Sequence, residues 1–261
     1  MCAKKHQKEK LILKNDDKAF VIGDIHGMYE PLEKMLENWQ ADEQLIFLGD
    51  YIDRGPQILE VLHRVWQLES DYGAICLRGN HEQMLLNFLT NPVKHTEHYI
   101  RNGGWETIRQ LLHSQEESLL QKQLQTQKVD LVRQIIDEYP RLLSWLESLP
   151  YYYEFGNFVC VHAGVDLSLD NWRKSSKRDF IWIREPFFES QNKTGRQFIF
   201  GHTPMHYLPS DRINHGIFVS SGLWGIDGGA VYQNPSSHLI GLKLDEHKVL
   251  NSYRIPVVNS N

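Results

Sequence analysis

Cysteine is scarce in this chain: three residues, Cys2, Cys76 and Cys160, among 261. Three thiols cannot all pair, and Cys76 and Cys160 fall inside apolar runs that read as buried strands, so reduced core cysteines in a cytosolic setting are expected rather than a disulfide framework. No apolar run approaches the length of a membrane span, and the basic start from Met1 to Lys10 is followed by no apolar stretch of signal-peptide length. Excess positive charge is missing too. With 28 Lys and Arg against 33 Asp and Glu the net charge is −5, which leaves no global field to hold a nucleic-acid backbone or an anionic membrane. The reading is a cytoplasmic protein with no nucleic-acid and no membrane partner. Internal repeats and low-complexity tracts are absent, and the seven tryptophans and eleven tyrosines read as core as readily as partner surface, so no feature assigns an oligomeric state.

What is present is a run of short apolar segments, Phe20 to Ile22, Leu45 to Leu48 and Ala74 to Leu77, alternating with helical stretches at Pro31 to Trp39 and Pro56 to Leu68. That alternation predicts βαβ units with a largely parallel sheet and an α/β fold. Residues 83–149 turn to Leu, Gln and Glu at helical spacing and read as a helical insert capping one side, with at most a strand-like run near Tyr99. The polar run from Ser114 to Lys128 reads most simply as a solvated helical hairpin. After Pro150, Tyr151 to Phe155 and Phe158 to Val161 flank Gly156-Asn157 as a hairpin, and strands are expected at Gln197 to Phe200, Ile217 to Ser220, Ala230 to Tyr232 and Leu239 to Leu244. The expected division is an N-terminal tail (1–18), one domain (19–253) and a C-terminal tail (254–261).

Each early strand ends in polar residues suited to chemistry. The first runs into Gly23-Asp24-Ile25-His26-Gly27, the second into Gly49-Asp50-Tyr51-Ile52-Asp53-Arg54-Gly55, the third into Arg78-Gly79-Asn80-His81-Glu82. His162 and His202 end two later strands. Carboxylate, imidazole and amide oxygen together form a ligand set for Mn, Fe or Zn, and a carboxylate such as Asp50 can bridge two ions about 3.5–4 Å apart. Taken singly, each also reads as an ordinary turn, an Asp–Arg cluster at a helix start, or an Asn helix cap. Five strand ends carrying metal-compatible side chains weigh against coincidence, because α/β sheets place ligands at the carboxyl ends of their strands.

In this order and at these separations the motifs resemble the PPP-type serine/threonine phosphatases of the calcineurin-like metallophosphoesterase superfamily. Ile181-Trp182-Ile183-Arg184-Glu185 and Phe200-Gly201-His202-Thr203-Pro204 are most similar to the compact bacterial and phage lambda-type members. The resemblance implies a β-sandwich of two mixed sheets flanked by helices, and two divalent metal ions. Asp24, His26 and a bridging Asp50 would hold one; Asp50, Asn80, His162 and His202 the other. It implies in-line attack of a dimetal-bound water on a phosphoserine or phosphothreonine, with Arg54 and Arg184 binding the phosphoryl oxygens. His81 would protonate the leaving group, with Asp53 orienting it and favouring its protonated form. Mn is expected for activity in vitro. The substrate would be a phosphorylated protein or a small phosphoester.

Two alternatives stay open. The symmetrical diadenosine tetraphosphatases share the scaffold but usually show Ala-Arg-Gly where this chain has Asp53-Arg54-Gly55, and Gly-Asn-His-Asp where it has Gly79-Asn80-His81-Glu82. A catalytically silent binding scaffold is disfavoured because every expected ligand is present. His206 and His215 lie downstream of His202 and no motif claims them. Asp227-Gly228-Gly229-Ala230 reads as a turn into a strand, though a similar segment lies near the metals in related enzymes, which keeps Asp227 as a candidate support.

Overall fold

A computed structural model describes residues 17–232 and 235–257. The expected N-terminal tail and Cys2 lie outside the described residues, apart from Asp17 and Lys18.

The chain opens with β1 (Lys18–Ile22), α1 (Tyr29–Leu36), β2 (Gln44–Phe47), α2 (Ile58–Tyr72) and β3 (Ile75–Cys76). The three strands pair in parallel, as apolar strands joined by helical crossovers must. The insert follows as α3 (Asn80–Thr90), α4 (Pro92–Tyr99), a wide turn at Ile100–Gly104, α5 (Trp105–Leu111), α6 (Glu117–Thr126), α7 (Lys128–Glu138) and α8 (Pro140–Ser148). Tyr99 therefore ends a helix, not a strand: Pro92 at the first turn and the Asn91 side chain accepting from Lys94 N start α4 firmly.

The second half supplies β4 (Tyr152–Phe155), β5 (Phe158–Val161), α9 (Lys177–Trp182), α10 (Glu185–Phe188), β6 (Gln197–Phe200), β7 (Ile213–Asn214), β8 (Ile217–Ser220), β9 (Leu223–Gly225), β10 (His238–Asp245) and β11 (Val249–Pro256). β4 and β5 form the expected antiparallel hairpin. Ala230–Tyr232 is a single 3-10 turn instead of a strand. Gly229 enters it at φ +64°, and Tyr232 N donates to Gly229 O; the edges of β9 are already taken by β6 and β8. β11 runs to Pro256, paired with His238 on β10, so the last strand extends three residues beyond the expected boundary at 253.

The strands form two mixed sheets, of order β11-β10-β1-β2-β3 and β4-β5-β6-β9-β8-β7. Alternation along β1 and β2 divides the core: Ala19, Val21, Ile46 and Leu48 pack against the second sheet, while Phe20, Ile22, Leu45 and Phe47 pack under the helices. Both faces are covered, which is why these strands read as continuous apolar runs. Cys76 and Cys160 are free and buried. No helix among the described residues is long and apolar enough to cross a membrane.

Candidate metal centre

Six strands in two sheets, β1, β2, β3, β5, β6 and β9, are related by parallel pairings, and each is followed within four residues by a side chain that lines one cleft or its floor. Asp24, Asp50, Asn80, His162, His202 and Asp227 come from these strand ends, in that order. All six are buried. The cleft measures ≈ 440 Å³, a size that suits a small ligand.

The backbone is strained where it delivers these groups. His26, Asp50, Asp53, Arg54 and His202 all sit at positive φ, between 47° and 71°, a region costly for residues with a Cβ and concentrated at functional sites. Two glycines make room for carboxylates: a Cβ on Gly201 would stand 2.0 Å from Asp24 Oδ1, and one on Gly79 would stand 2.1 Å from Asp50 Oδ1.

Two sets of side chains converge closely enough to share an ion: His26, Asp50 and His81; and Asp50, His162 and His202. Asp50 belongs to both. Its Oδ2 lies 3.5 Å from His26 Nε2 and its Oδ1 3.5 Å from His162 Nε2. Asn80 Oδ1 lies 2.9 Å from His162 Nε2 and 2.8 Å from His202 Nδ1. Asp24 stands in the same cleft, and its carboxylate accepts the His202 backbone N–H at 3.0 Å. His81, expected beside the metals rather than on them, falls within reach of the first set.

The donor set fits divalent cations. His26 Nδ1 meets Ile52 O at 2.7 Å and His162 Nδ1 meets Leu48 O at 3.1 Å, so each imidazole donates there and presents a lone pair at Nε2. Those lone pairs face carboxylate oxygens of Asp50, acceptor against acceptor. Protonating the imidazoles would relieve this, but burial holds His26 well below its ordinary value and lowers His162 to about 4. Burial likewise raises Asp50 to about 8, and raises Asp24 well above the usual carboxylate range with help from Asp227 and Asp50. A cation satisfies these lone pairs and carboxylates together. Arg54 already places positive charge here, its Nη1 donating to His26 Nε2 at 2.9 Å.

Beside this cluster, His81 Nδ1 contacts Asp53 Oδ2 at 2.6 Å. Tyr99 and Thr107 donate their hydroxyls to Asp53 Oδ1 at 2.7 and 2.5 Å. Arg54 is held from the insert as well, its Nε donating to Asn102 O at 3.3 Å and its backbone N to Gly103 O at 3.1 Å. The insert thus shapes the site rather than only covering it. Arg184 lines the same cleft, with Trp182, Phe188, Tyr207 and Tyr232. Its side chain makes no hydrogen bond or ion pair among the described residues.

Four participants escaped the sequence reading. Glu82 accepts three backbone N–H groups, from Asp50 (3.0 Å), Tyr51 (2.8 Å) and Gly79 (2.9 Å); its place in Asn-His-Glu was the available signal. Tyr99, Thr107 and Asn102 had none, since they meet Asp53 and Arg54 from 46 to 54 positions away.

Residues 18–225 match the family described as calcineurin-like phosphoesterase. The serine/threonine-protein phosphatase 1 of Salmonella typhimurium is 29% identical over 210 residues, 76% of this chain and 83% of that protein. The symmetrical bis(5'-nucleosyl)-tetraphosphatase of Pseudomonas fluorescens is 28% identical over 154 residues, 56% of this chain; the match spans only 42% of that protein's length. Among solved structures, the cold-active protein-tyrosine phosphatase of a psychrophilic Shewanella aligns over 92% of this chain and 80% of its own with a TM-score of 0.56 at 18% identity. At that identity the likeness is one of fold.

Proposed function

The chain belongs to the calcineurin-like phosphoesterase family, and from that premise we propose that it is a metal-dependent phosphomonoesterase acting on phosphoserine and phosphothreonine. Asp24, His26 and Asp50 would hold one divalent ion, and Asp50, Asn80, His162 and His202 a second; Mn is the proposed metal in vitro. When bound, such ions supply Lewis acidity, making a water nucleophilic at neutral pH and neutralising charge on the phosphoryl oxygens.

The protein's own groups do the rest. Arg54 and Arg184 both line the cleft, where guanidinium forks match phosphoryl oxygens and fix the group for in-line displacement. His81 carries the proton for the leaving oxygen on Nε2, the ring nitrogen not spent on Asp53. Burial lowers His81 and raises Asp53 to about 7, so in the free site burial works against the charged pair that the 2.6 Å contact favours. A phosphoryl dianion entering the cleft supplies the charge that favours protonated His81.

The observation that carries this reading is the His81–Asp53 contact with its two supporting hydroxyls. An alkoxide is a strongly basic leaving group and needs a proton, whereas a polyphosphate leaving group is a weak base and needs it far less. The test is hydrolysis of a phosphothreonine peptide, diadenosine tetraphosphate and p-nitrophenyl phosphate side by side with Mn²⁺. Preference for the peptide is expected, and preference for the dinucleotide would overturn the substrate claim.

The second reading, a diadenosine tetraphosphatase or related nucleoside polyphosphate hydrolase on the same metals, has one specific support besides the relative of that name. Tyr207 and Tyr232 stand 64% and 45% exposed at the cleft mouth, where planar bases could stack.

A further inference from the structure

A second pocket of ≈ 330 Å³ adjoins the metal cleft, with Tyr232 lining both. The two are continuous along the chain. Asp227 lines the first, and Gly228 and Gly229 line the second. Tyr207 lines the first and His206 the second, their rings 4.0 Å apart and the His206 ring 5.5 Å from that of Tyr232.

The polar side chains of this second pocket are Arg254, His206, His238, Ser236, Ser237 and Tyr232, and among the described residues its lining contains no carboxylate. In a chain with more acidic than basic residues, a concave surface bearing an arginine, two imidazoles and three hydroxyls, with no acid to neutralise them, is complementary to an anion. Arg254 is exposed and tethered at one point. It stands on β11 of the first sheet, yet its Nη1 donates to His215 O at 3.0 Å, in the turn joining β7 and β8 of the second sheet. His215 and Gly216 form that turn at φ 49° and 73°, and a Cβ at Gly216 would stand 2.1 Å from Arg254 Nη1. The turn cups the guanidinium. Arg254 makes no ion pair with a carboxylate among the described residues. Met205, Ile213 and Ile240 give the pocket an apolar wall for the stem that carries the anion.

We propose that this pocket is an anion subsite, in which Arg254 binds a carboxylate or second phosphoryl group of the substrate beyond the phosphoryl group held in the metal cleft. The inference rests on the phosphomonoesterase reading only for the kind of molecule bearing the anion. In a phosphopeptide it is an acidic residue or second phosphoresidue near the target; in a dinucleotide it is a distal phosphoryl group.

The test uses metal-loaded wild type, Arg254→Ala and Arg254→Lys on four substrates: a phosphothreonine peptide flanked by glutamates, the same peptide with alanines, diadenosine tetraphosphate, and p-nitrophenyl phosphate, which carries no second anion. Wild type is expected to favour the glutamate peptide over the alanine peptide. Arg254→Ala raises KM for the glutamate peptide roughly fivefold to tenfold with kcat unchanged, the size of one charge-assisted contact. Arg254→Lys recovers part of it, and p-nitrophenyl phosphate is indifferent to both variants. Turnover of diadenosine tetraphosphate alone, weakened in KM by Arg254→Ala, would sink the monoesterase reading and uphold the subsite. Equal use of both peptides by wild type, with a dinucleotide KM insensitive to Arg254→Ala, would overturn the subsite. So would an equal loss on p-nitrophenyl phosphate, because the damage would then reach the metal cleft.

Discussion

His81 and Asp53 are joined by a 2.6 Å contact between Nδ1 and Oδ2, and both side chains are buried. Tyr99 and Thr107 saturate the other carboxylate oxygen, so Asp53 has one direction left in which to act, toward the imidazole. That leaves His81 Nε2 on the cleft side, 3.9 Å from Asp50 Oδ2.

If this ring protonates the leaving oxygen, its removal must hurt in proportion to leaving-group basicity. His81→Asn is expected to lower kcat on a phosphothreonine peptide by about 10²–10⁴-fold and on p-nitrophenyl phosphate by much less. Tyr99→Phe, which frees one Asp53 lone pair, should show the same selectivity on a smaller scale. Equal losses on the two substrates would remove the general-acid role and leave His81 as a metal-side group.

Glu82 anchors the loop that carries Asp50. Its two oxygens take N–H groups from three residues, two of them in the segment after β2. Glu82→Gln keeps the shape but turns an amide N–H₂ toward a backbone donor, and an unsatisfied buried donor costs about 1–3 kcal/mol. A loss of stability of that order by chemical denaturation is expected, with weaker metal binding by isothermal titration because Asp50 loses its support. Unchanged metal affinity would confine Glu82 to the fold.

Without metal the site stores an electrostatic debt with a defined pH signature. Burial raises Asp50 to about 8 and Asp53 and Glu82 to about 7, so above the ordinary carboxylate range the folded state holds protons that the unfolded state has lost. The cluster histidines work oppositely, since burial lowers His26, His81, His162 and His202, and the unfolded chain binds their protons up to about pH 6.5. Between about pH 6.5 and 8 the histidines are neutral in both states and the carboxylates alone remain. Chelator-treated protein should therefore lose stability as pH rises through this window, by about 1.4 kcal/mol per pH unit for each proton held. Bound divalent ions displace those protons, so the stability added by metal should grow with pH. Denaturation midpoints at both ends of the window, with and without chelator, check this; a chelated protein that gains stability toward pH 8 would contradict it.

The sequence disclosed a strand end wherever the strand was a clear apolar run. Phe20 to Ile22, Leu45 to Leu48 and Phe158 to Val161 each pointed to the ligand-type residue that follows. Asp227 follows the same rule, but β9 is three residues long, preceded by Gly222 and ending on Gly225, so no apolar run announced it and its segment reads as a turn. The insert failed differently. Helical spacing located it, yet its contribution to the site depends on how Tyr99, Asn102 and Thr107 fold back on Asp53 and Arg54, a tertiary matter that no local pattern encodes. Ala230–Tyr232 has strand-like residues, but the turn entered at Gly229 and the prior occupation of both edges of β9 leave it without a ladder.

In the sequence Arg184 is marked by the single segment Ile-Trp-x-Arg-Glu, and its surroundings in the fold give it a definite role to test. It sits between α9 and α10 with φ −130° and ψ −109°, outside the helical region, which ends one helix and starts the next with the side chain in the cleft. Arg54 differs, being tied to His26 and Asn102. A guanidinium already engaged positions; one with no hydrogen-bond partner among the described residues is available to the ligand. Arg184→Ala is thus expected to cut kcat/KM at least tenfold for every phosphoester, mainly through KM, since a charge-assisted contact to phosphate is lost without disturbing the metal ligands. Arg54→Ala should lower kcat as well, because it also removes the positive charge beside His26. Steady-state kinetics on p-nitrophenyl phosphate separate the two, and an Arg184→Ala enzyme with wild-type constants would remove that residue from the site.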